Sequence, residues 1–143
     1  MKIVFMGTPE FSIPSLNSLI QSGYNIAAVV TVPDNHKGRH LHIQSSPIKK
    51  FALENNLNLL QPENLKSEDF INELKNISPD IIIVIAFRIL PKEVYSLSKL
   101  GSFNLHASLL PKYRGAAPIN RAIMNGEKET GVTTFFLDDK VDT

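Results

Sequence analysis

The stretch DIIIVIAF, Asp80 to Phe87, decides the architecture. From Ile81 onward it is apolar without alternation, so both faces of the strand it predicts must be covered. It is far shorter than the roughly 20 apolar residues that cross a membrane. Strands covered on both faces belong to parallel sheets flanked by helices. Working outward, KIVFMG near the start is a short apolar run closed by glycine, and NIAAVVTV is a second β-rich run. LNLLQP, GSFNLH and GVTTFFL predict three further strands.

Helical signals alternate with these strands. In PEFSIPSLNSLIQSG, Phe11, Leu16, Leu19 and Ile20 fall near helical spacing and Gly23 is a stop. Ser46-Pro47 reads as an N-cap and a first-turn proline before IKKFALENN. Ser67 caps EDFINELKNI, whose early acids suit the helix dipole, and Pro79 ends it. PKEVYSL and APINRAIMNG predict two more helices, while residues 33–45 read as a long polar, basic loop. The expected fold is α/β and Rossmann-like, a largely parallel sheet with helices on both faces. Ligands of such sheets bind beyond the carboxyl ends of the strands. Phe87-Arg88, Asn104 to Ser108 and the final DDKVDT would converge there.

The chain has 143 residues, room for one domain with a real core. Hydrophobic residues at 43% and charged residues at 20% are ordinary for a globular protein. A net charge of +1 argues against a uniformly basic nucleic-acid binder, though not against a local basic patch. Without cysteine there is neither disulfide nor thiolate chemistry, which suits a reducing compartment. MKIVFMGTPEF is not a signal peptide, since Gly7-Thr8-Pro9 breaks its apolar run. The expectation is a soluble, cytoplasmic protein with no membrane segment.

Two tempting motifs carry little. GTPEFS lacks the second and third glycines of a dinucleotide loop and reads as a tight turn. His36, His40 and His42 crowd one loop with Asp34 but do not make a fixed four-ligand metal site, so no metal is expected. The chemical signal is Asn104 and His106. Two residues apart in a strand, they share a face at its carboxyl end. Both can donate to an oxygen that becomes negative, and an imidazole can carry a proton near neutral pH. Asp142 is a carboxylate able to orient or charge that imidazole. From pattern alone this is one reading of an acyl-transfer site, beside a structural histidine.

FNLHASLLPKYRGAAPIN and GEKETGVTTFFLDDKVDT together resemble the folate-dependent formyltransferases, through Asn-x-His, Ser-Leu-Leu-Pro, Arg-Gly and the later Asp. MGTPEFS, VTVPDNHKGR, SSPIKKFALENNLNLLQPENL and AFRILP resemble, in order and spacing, the methionyl-tRNA formyltransferase family, over essentially the whole chain. The resemblance implies formyl transfer from 10-formyltetrahydrofolate to the amino group of initiator methionyl-tRNA, at translation initiation. It implies that Asn104 and His106 bind the formyl oxygen and that Asp142 helps move the proton. It implies a folate site at Ser108, Leu109, Leu110 and Pro111, bordered by Phe87, Arg88, Ile89 and Leu90. Lys37 and Arg39 match the loop that reaches the tRNA, although Gly38-Arg39-His40-Leu41-His42 departs from the family's lysine-rich pattern.

The family continues beyond the position of Asp142. Residues 1–143 are therefore expected to be an incomplete catalytic domain, truncated at its C-terminus and without the C-terminal tRNA-binding domain. An exposed sheet edge would then invite self-association. Two alternatives stay open: formyl transfer to a small amine, such as a sugar nucleotide or glycinamide ribonucleotide, and a non-catalytic folate-binding remnant.

Overall fold

The computed structural model describes residues 1–37, 42–106 and 133–137. Six strands form one sheet in the order β5-β2-β1-β6-β7-β8. They are β1 (Lys2–Gly7), β2 (Asn25–Val30), β5 (Leu59–Leu60), β6 (Ile81–Ile85), β7 (Gly101–His106) and β8 (Thr133–Phe136). The first five in space are parallel, and β8 pairs with β7 antiparallel. The expected largely parallel sheet is therefore present.

The unbroken apolar strands split their residues between two cores. Val4 and Met6 of β1 and Ile82 and Val84 of β6 face α3 (Glu68–Ile77) and α4 (Lys92–Tyr95), through Phe70, Leu74 and Val94. Ile3, Phe5, Ile83 and Ile85 face α1 (Ile13–Gln21) and α2 (Pro47–Glu54), through Leu16, Ile48 and Ala52. Helices thus cover both faces, and each largely buried Ile or Phe contributes about 1.5–3 kcal/mol of transfer free energy.

The helix boundaries follow their caps. Ser46 Oγ accepts from the Lys49 amide at 3.0 Å, with Pro47 in the first turn. Ser67 Oγ accepts from the Phe70 amide at 3.3 Å. The helix α3 closes on Ser78 in the left-handed region, just before Pro79. A short 3-10 turn, Glu10–Ser12, precedes α1.

Two findings differ from the reading of the sequence. The segment expected as a loop at 33–45 contains a separate antiparallel hairpin, β3 (Asn35–Lys37) with β4 (His42–Gln44). Its period-2 pattern is too short and too polar to stand out. The register of β1 against β2 also slips between Ile3 and Val4, so that Ala27 is skipped. That bulge keeps like faces together: Ile3 beside Ile26 in one core and Val4 beside Ala28 in the other. The predicted helix at 117–126 lies outside the described residues.

The chain runs from β1 outward through β2 to β5, then crosses back to β6 on the other side of β1. This places a topological switch point at the carboxyl ends of β1 and β6. Gly7 ends β1 there because the next turn folds onto it. A Cβ on Gly7 would lie 2.9 Å from Ser12 Oγ and 3.1 Å from the Ile85 carbonyl oxygen.

Candidate functional site at the carboxyl edge of the sheet

Asn104 lies on β7 opposite Val84 of β6 and Phe135 of β8. Val84 points into the core under α3 and α4, so Asn104 takes that face of the sheet. Two residues earlier, Ser102 is anchored on the same face. Its hydroxyl donates to the Tyr95 carbonyl at 2.6 Å and meets Ser98 Oγ at 2.8 Å. Asn104 has no such anchor for its carbonyl end: Oδ1 is buried without a hydrogen-bond partner among the described residues. Leaving a buried acceptor unpaired costs about 1–3 kcal/mol, so a donor brought by a ligand would be favoured there. The backbone of His106 lies two residues on, in the same strand, opposite Thr133.

Asp142, Ser108, Leu109, Leu110, Pro111 and Arg39 lie outside the described residues. The structure therefore brings together, of the expected chemistry, only the strand positions of Asn104 and His106.

The expected border residues leave β6 through a bend. Ala86, exposed, has φ 49°, in the left-handed region. Beyond it the chain runs along a second loop, residues 62–66. Arg88 ties the two: Nη2 donates to the Pro62 carbonyl at 2.8 Å and Nη1 to the Glu63 carbonyl at 3.1 Å. Its guanidinium carbon sits 4.9 Å from the Phe87 ring centroid, within cation–π range. Partial burial pushes the Arg88 pKa below its ordinary value, and its Nε is buried without a partner among the described residues.

Between the two loops opens a cleft of about 490 Å³, with Glu63 to Lys66 on one wall and Arg88 to Pro91 on the other. The two aliphatic residues of this wall, Ile89 and Leu90, differ sharply. Ile89 is 77% exposed, whereas Leu90 is 8% exposed and packs into the core with Val94.

Lys37 stands on β3, in register with His42 of β4. The neck of that hairpin is held by polar contacts. Lys49 Nζ pairs with Asp34 Oδ2 at 2.6 Å, and Gln61 Nε2 donates to Asp34 Oδ1 at 3.0 Å. Hydrogen bonds from Lys49 and then Gln61 hold the Asp34 carboxyl below its ordinary value.

Three features escaped the sequence. Thr8, directly after Gly7, has a buried hydroxyl at the switch point without a partner among the described residues. Ala86 carries backbone strain that no residue type announces. Glu63, Asn64 and Leu65 of the cleft wall end the stretch SSPIKKFALENNLNLLQPENL noted above, but nothing in it announces a cleft. Only the turn signal of GTPEFS pointed near the first of these. Among the described residues, no group of three or more His, Asp or Glu is placed to hold a metal, and no helix is long and apolar enough to cross a membrane.

Comparison with known proteins agrees with this layout. The family described as formyl transferase matches residues 1–143. Methionyl-tRNA formyltransferase of Bacteroides thetaiotaomicron is 55% identical over 143 residues, covering 100% of this chain and 44% of that protein. The protein of that name in Azobacteroides pseudotrichonymphae is 59% identical, covering 99% of this chain and 44% of its own length. The chain thus spans less than half the length of these curated relatives. Among solved structures, phosphoribosylglycinamide formyltransferase from Bacillus halodurans superposes with a TM-score of 0.78 at 17% identity, covering 100% of this chain and 75% of that one. The Coxiella burnetii protein of that name gives 0.72 at 25% identity, covering 100% and 68%. The first of these likenesses, at such low identity, bears on the fold alone.

Proposed function

We propose a function from one firm premise: the chain belongs to the formyl transferase family. Its reaction is transfer of a formyl group from 10-formyltetrahydrofolate to the amino group of methionyl-tRNA. The observation that carries this reading is identity of 55–59% across the chain with relatives bearing that enzyme's name. Methionyl-tRNA and a folate are then its partners, and the bacterial cytoplasm, where translation starts, its setting.

The described residues fit a folate. The cleft beside Arg88 has the size usual for a small-molecule site. Exposed Ile89 and half-buried Pro91 offer apolar surface to a flat ring, and Phe87, Arg88 and Leu90 fix the wall that carries them. Ser108, Leu109, Leu110 and Pro111 would complete this site. When bound, the folate supplies the formyl group at the oxidation level of the product.

The chain's own residues then position and stabilise. Asn104 and His106 hold the formyl oxygen as it gains charge, which needs donors fixed in advance. The strand β7 supplies that fixity by pairing on both sides, with β6 and β8. Asp142, paired with His106 or an ordered water, helps move the proton from the attacking amine. Lys37 and Arg39 would meet the tRNA, whose phosphates favour cations.

The test is formyl transfer from 10-formyltetrahydrofolate to methionyl-tRNA by the chain, with His106→Ala as control. The expected result is measurable transfer that drops about a hundredfold or more in the variant. Transfer to a small amine but not to methionyl-tRNA, or equal activity in the variant, would overturn the reading.

A further inference from the structure

The hairpin β3–β4 raises a physical problem. A two-stranded ribbon is marginal in water by itself. Among the described residues, this one has three residues per strand and pairs with no strand of the main sheet. Something at its base must fix its direction.

The base is pinned twice. Thr31, at the end of β2, and Ser46, the cap of α2, exchange a hydroxyl hydrogen bond at 2.8 Å, with both residues buried. That closes the neck but leaves the ribbon free to swing. Three residues further on, Asp34 supplies the second pin. It takes Lys49 Nζ at 2.6 Å from α2 and Gln61 Nε2 at 3.0 Å from the end of β5. The same Gln61 amide donates to the Val32 carbonyl at 3.2 Å. Elements on two sides thus grip the residue directly before β3.

The helix α2 makes the arrangement more telling. Its first turn holds Lys49 and Lys50 and no acid. Cations at a helix N-terminus oppose the helix dipole. The Asp34 carboxylate offsets this, and the ion pair is the single one among the described residues. A local rule broken and compensated in this way marks functional rather than purely structural selection.

We infer that Asp34, held by Lys49 and Gln61, is a positioning residue that directs the hairpin carrying Lys37 toward a polyanionic acceptor at the carboxyl edge of the sheet. The inference deepens the reading above and rests on it, since the acceptor there is a tRNA.

The test compares Asp34→Asn, Lys49→Met and the double variant in the intact chain. Amide hydrogen exchange is followed over Asn35–Lys37 and His42–Gln44, with β1 and β6 as internal reference. KM and kcat for methionyl-tRNA are measured beside the thermal midpoint. Asn at 34 keeps an acceptor for Gln61 but turns a donor toward Lys49. It also raises the net charge from +1 to +2, which by charge alone should tighten RNA binding.

The expected result runs against charge. Exchange in the hairpin speeds up and KM for methionyl-tRNA rises about fivefold, while kcat and exchange in β1 and β6 hold. The double variant adds little to either single one, because both break one contact. Unchanged hairpin exchange, unchanged KM, or faster exchange spread evenly through β1 and β6 would each overturn the inference. A wild-type chain that shows the exchange pattern yet formylates no methionyl-tRNA overturns the functional reading instead, and reduces the pin to architecture.

Discussion

Replacing Arg88 by methionine tests the cleft directly. The guanidinium makes one half-buried hydrogen bond, to the Pro62 carbonyl at 2.8 Å, and one exposed, to the Glu63 carbonyl at 3.1 Å. A charged donor on a half-buried acceptor contributes about 1.5 kcal/mol, and the exposed bond about 0.5. The contact with Phe87 adds about 0.5 kcal/mol. Methionine keeps much of the apolar stem and removes the unpartnered Nε, which returns part of the loss. The net cost is about 1.5–2 kcal/mol, and with a urea slope of roughly 1–3 kcal/mol per molar the midpoint falls by about 1 M. The second readout is affinity for a folate ligand. Arg88 holds the 62–66 wall against the wall that follows β6, so its loss opens the cleft and weakens binding about tenfold. Arg88→Lys keeps the charge but cannot reach both carbonyls at once, and falls between the two in both assays. A variant Arg88→Met that unfolds at the wild-type urea concentration and binds folate equally well would refute the clamp. So would a lysine variant indistinguishable from wild type.

Two further outcomes follow from single contacts. Gly101 has φ +127°, and a Cβ there would sit 2.7 Å from the Phe136 ring. Gly101→Ala therefore destabilises by about 2–3 kcal/mol and loosens β7 against β8, read as a lower thermal midpoint with faster amide exchange in both strands. Asp80 accepts from the Lys2 amide at 2.7 Å, and this bond first of all holds its carboxyl below the ordinary 3.8. A depressed folded-state pKa gives stability that is present above 3.8 and lost as pH falls through the lower folded value. The wild-type urea midpoint should thus fall more steeply than that of Asp80→Asn as pH drops below 3.8. Equal slopes would remove Asp80 from the acid response.

The sequence exposed those parts of the fold that obey one-dimensional rules. Continuous apolar strands require covered faces, and DIIIVIAF became β6 at the sheet's centre. Ser46 and Ser67 were readable as caps because a hydroxyl three residues before a free amide has one geometry to adopt. What stayed hidden depends on neighbours distant in sequence. The bulge at Ala27 exists to match β2 to β1, and NIAAVV alone reads as one smooth run. The β3–β4 hairpin needs a pin from Lys49 and Gln61 before six residues, all polar but Ile43, can pair. At the site, the strand spacing placed Asn104 and His106 together, because period 2 is local. The cleft wall at 63–66 and the unpaired Thr8 hydroxyl arise from loops meeting in space, and no spacing rule reaches them.

Ala86 connects that hidden geometry to function. It sits at φ 49° where β6 ends, and its exposed side chain adds no packing. An L-residue in this region costs about 1–2 kcal/mol relative to glycine. Glycine would remove that strain but lose about 0.5–1 kcal/mol through a freer unfolded chain. Ala86→Gly should therefore be as stable as wild type or more so, by up to about 1.5 kcal/mol in urea unfolding. The strained bend turns the chain so that Arg88 reaches Pro62 and Glu63 while Ile89 points outward. A residue with few allowed conformations holds that turn more narrowly than glycine can. Folate affinity should then fall severalfold in the same variant whose stability is kept, the separation expected where strain is retained for preorganisation. Loss of stability by more than about 1 kcal/mol would mean that the Cβ is a packing element after all. Unchanged folate affinity would mean that the bend sets the path of the chain and nothing more.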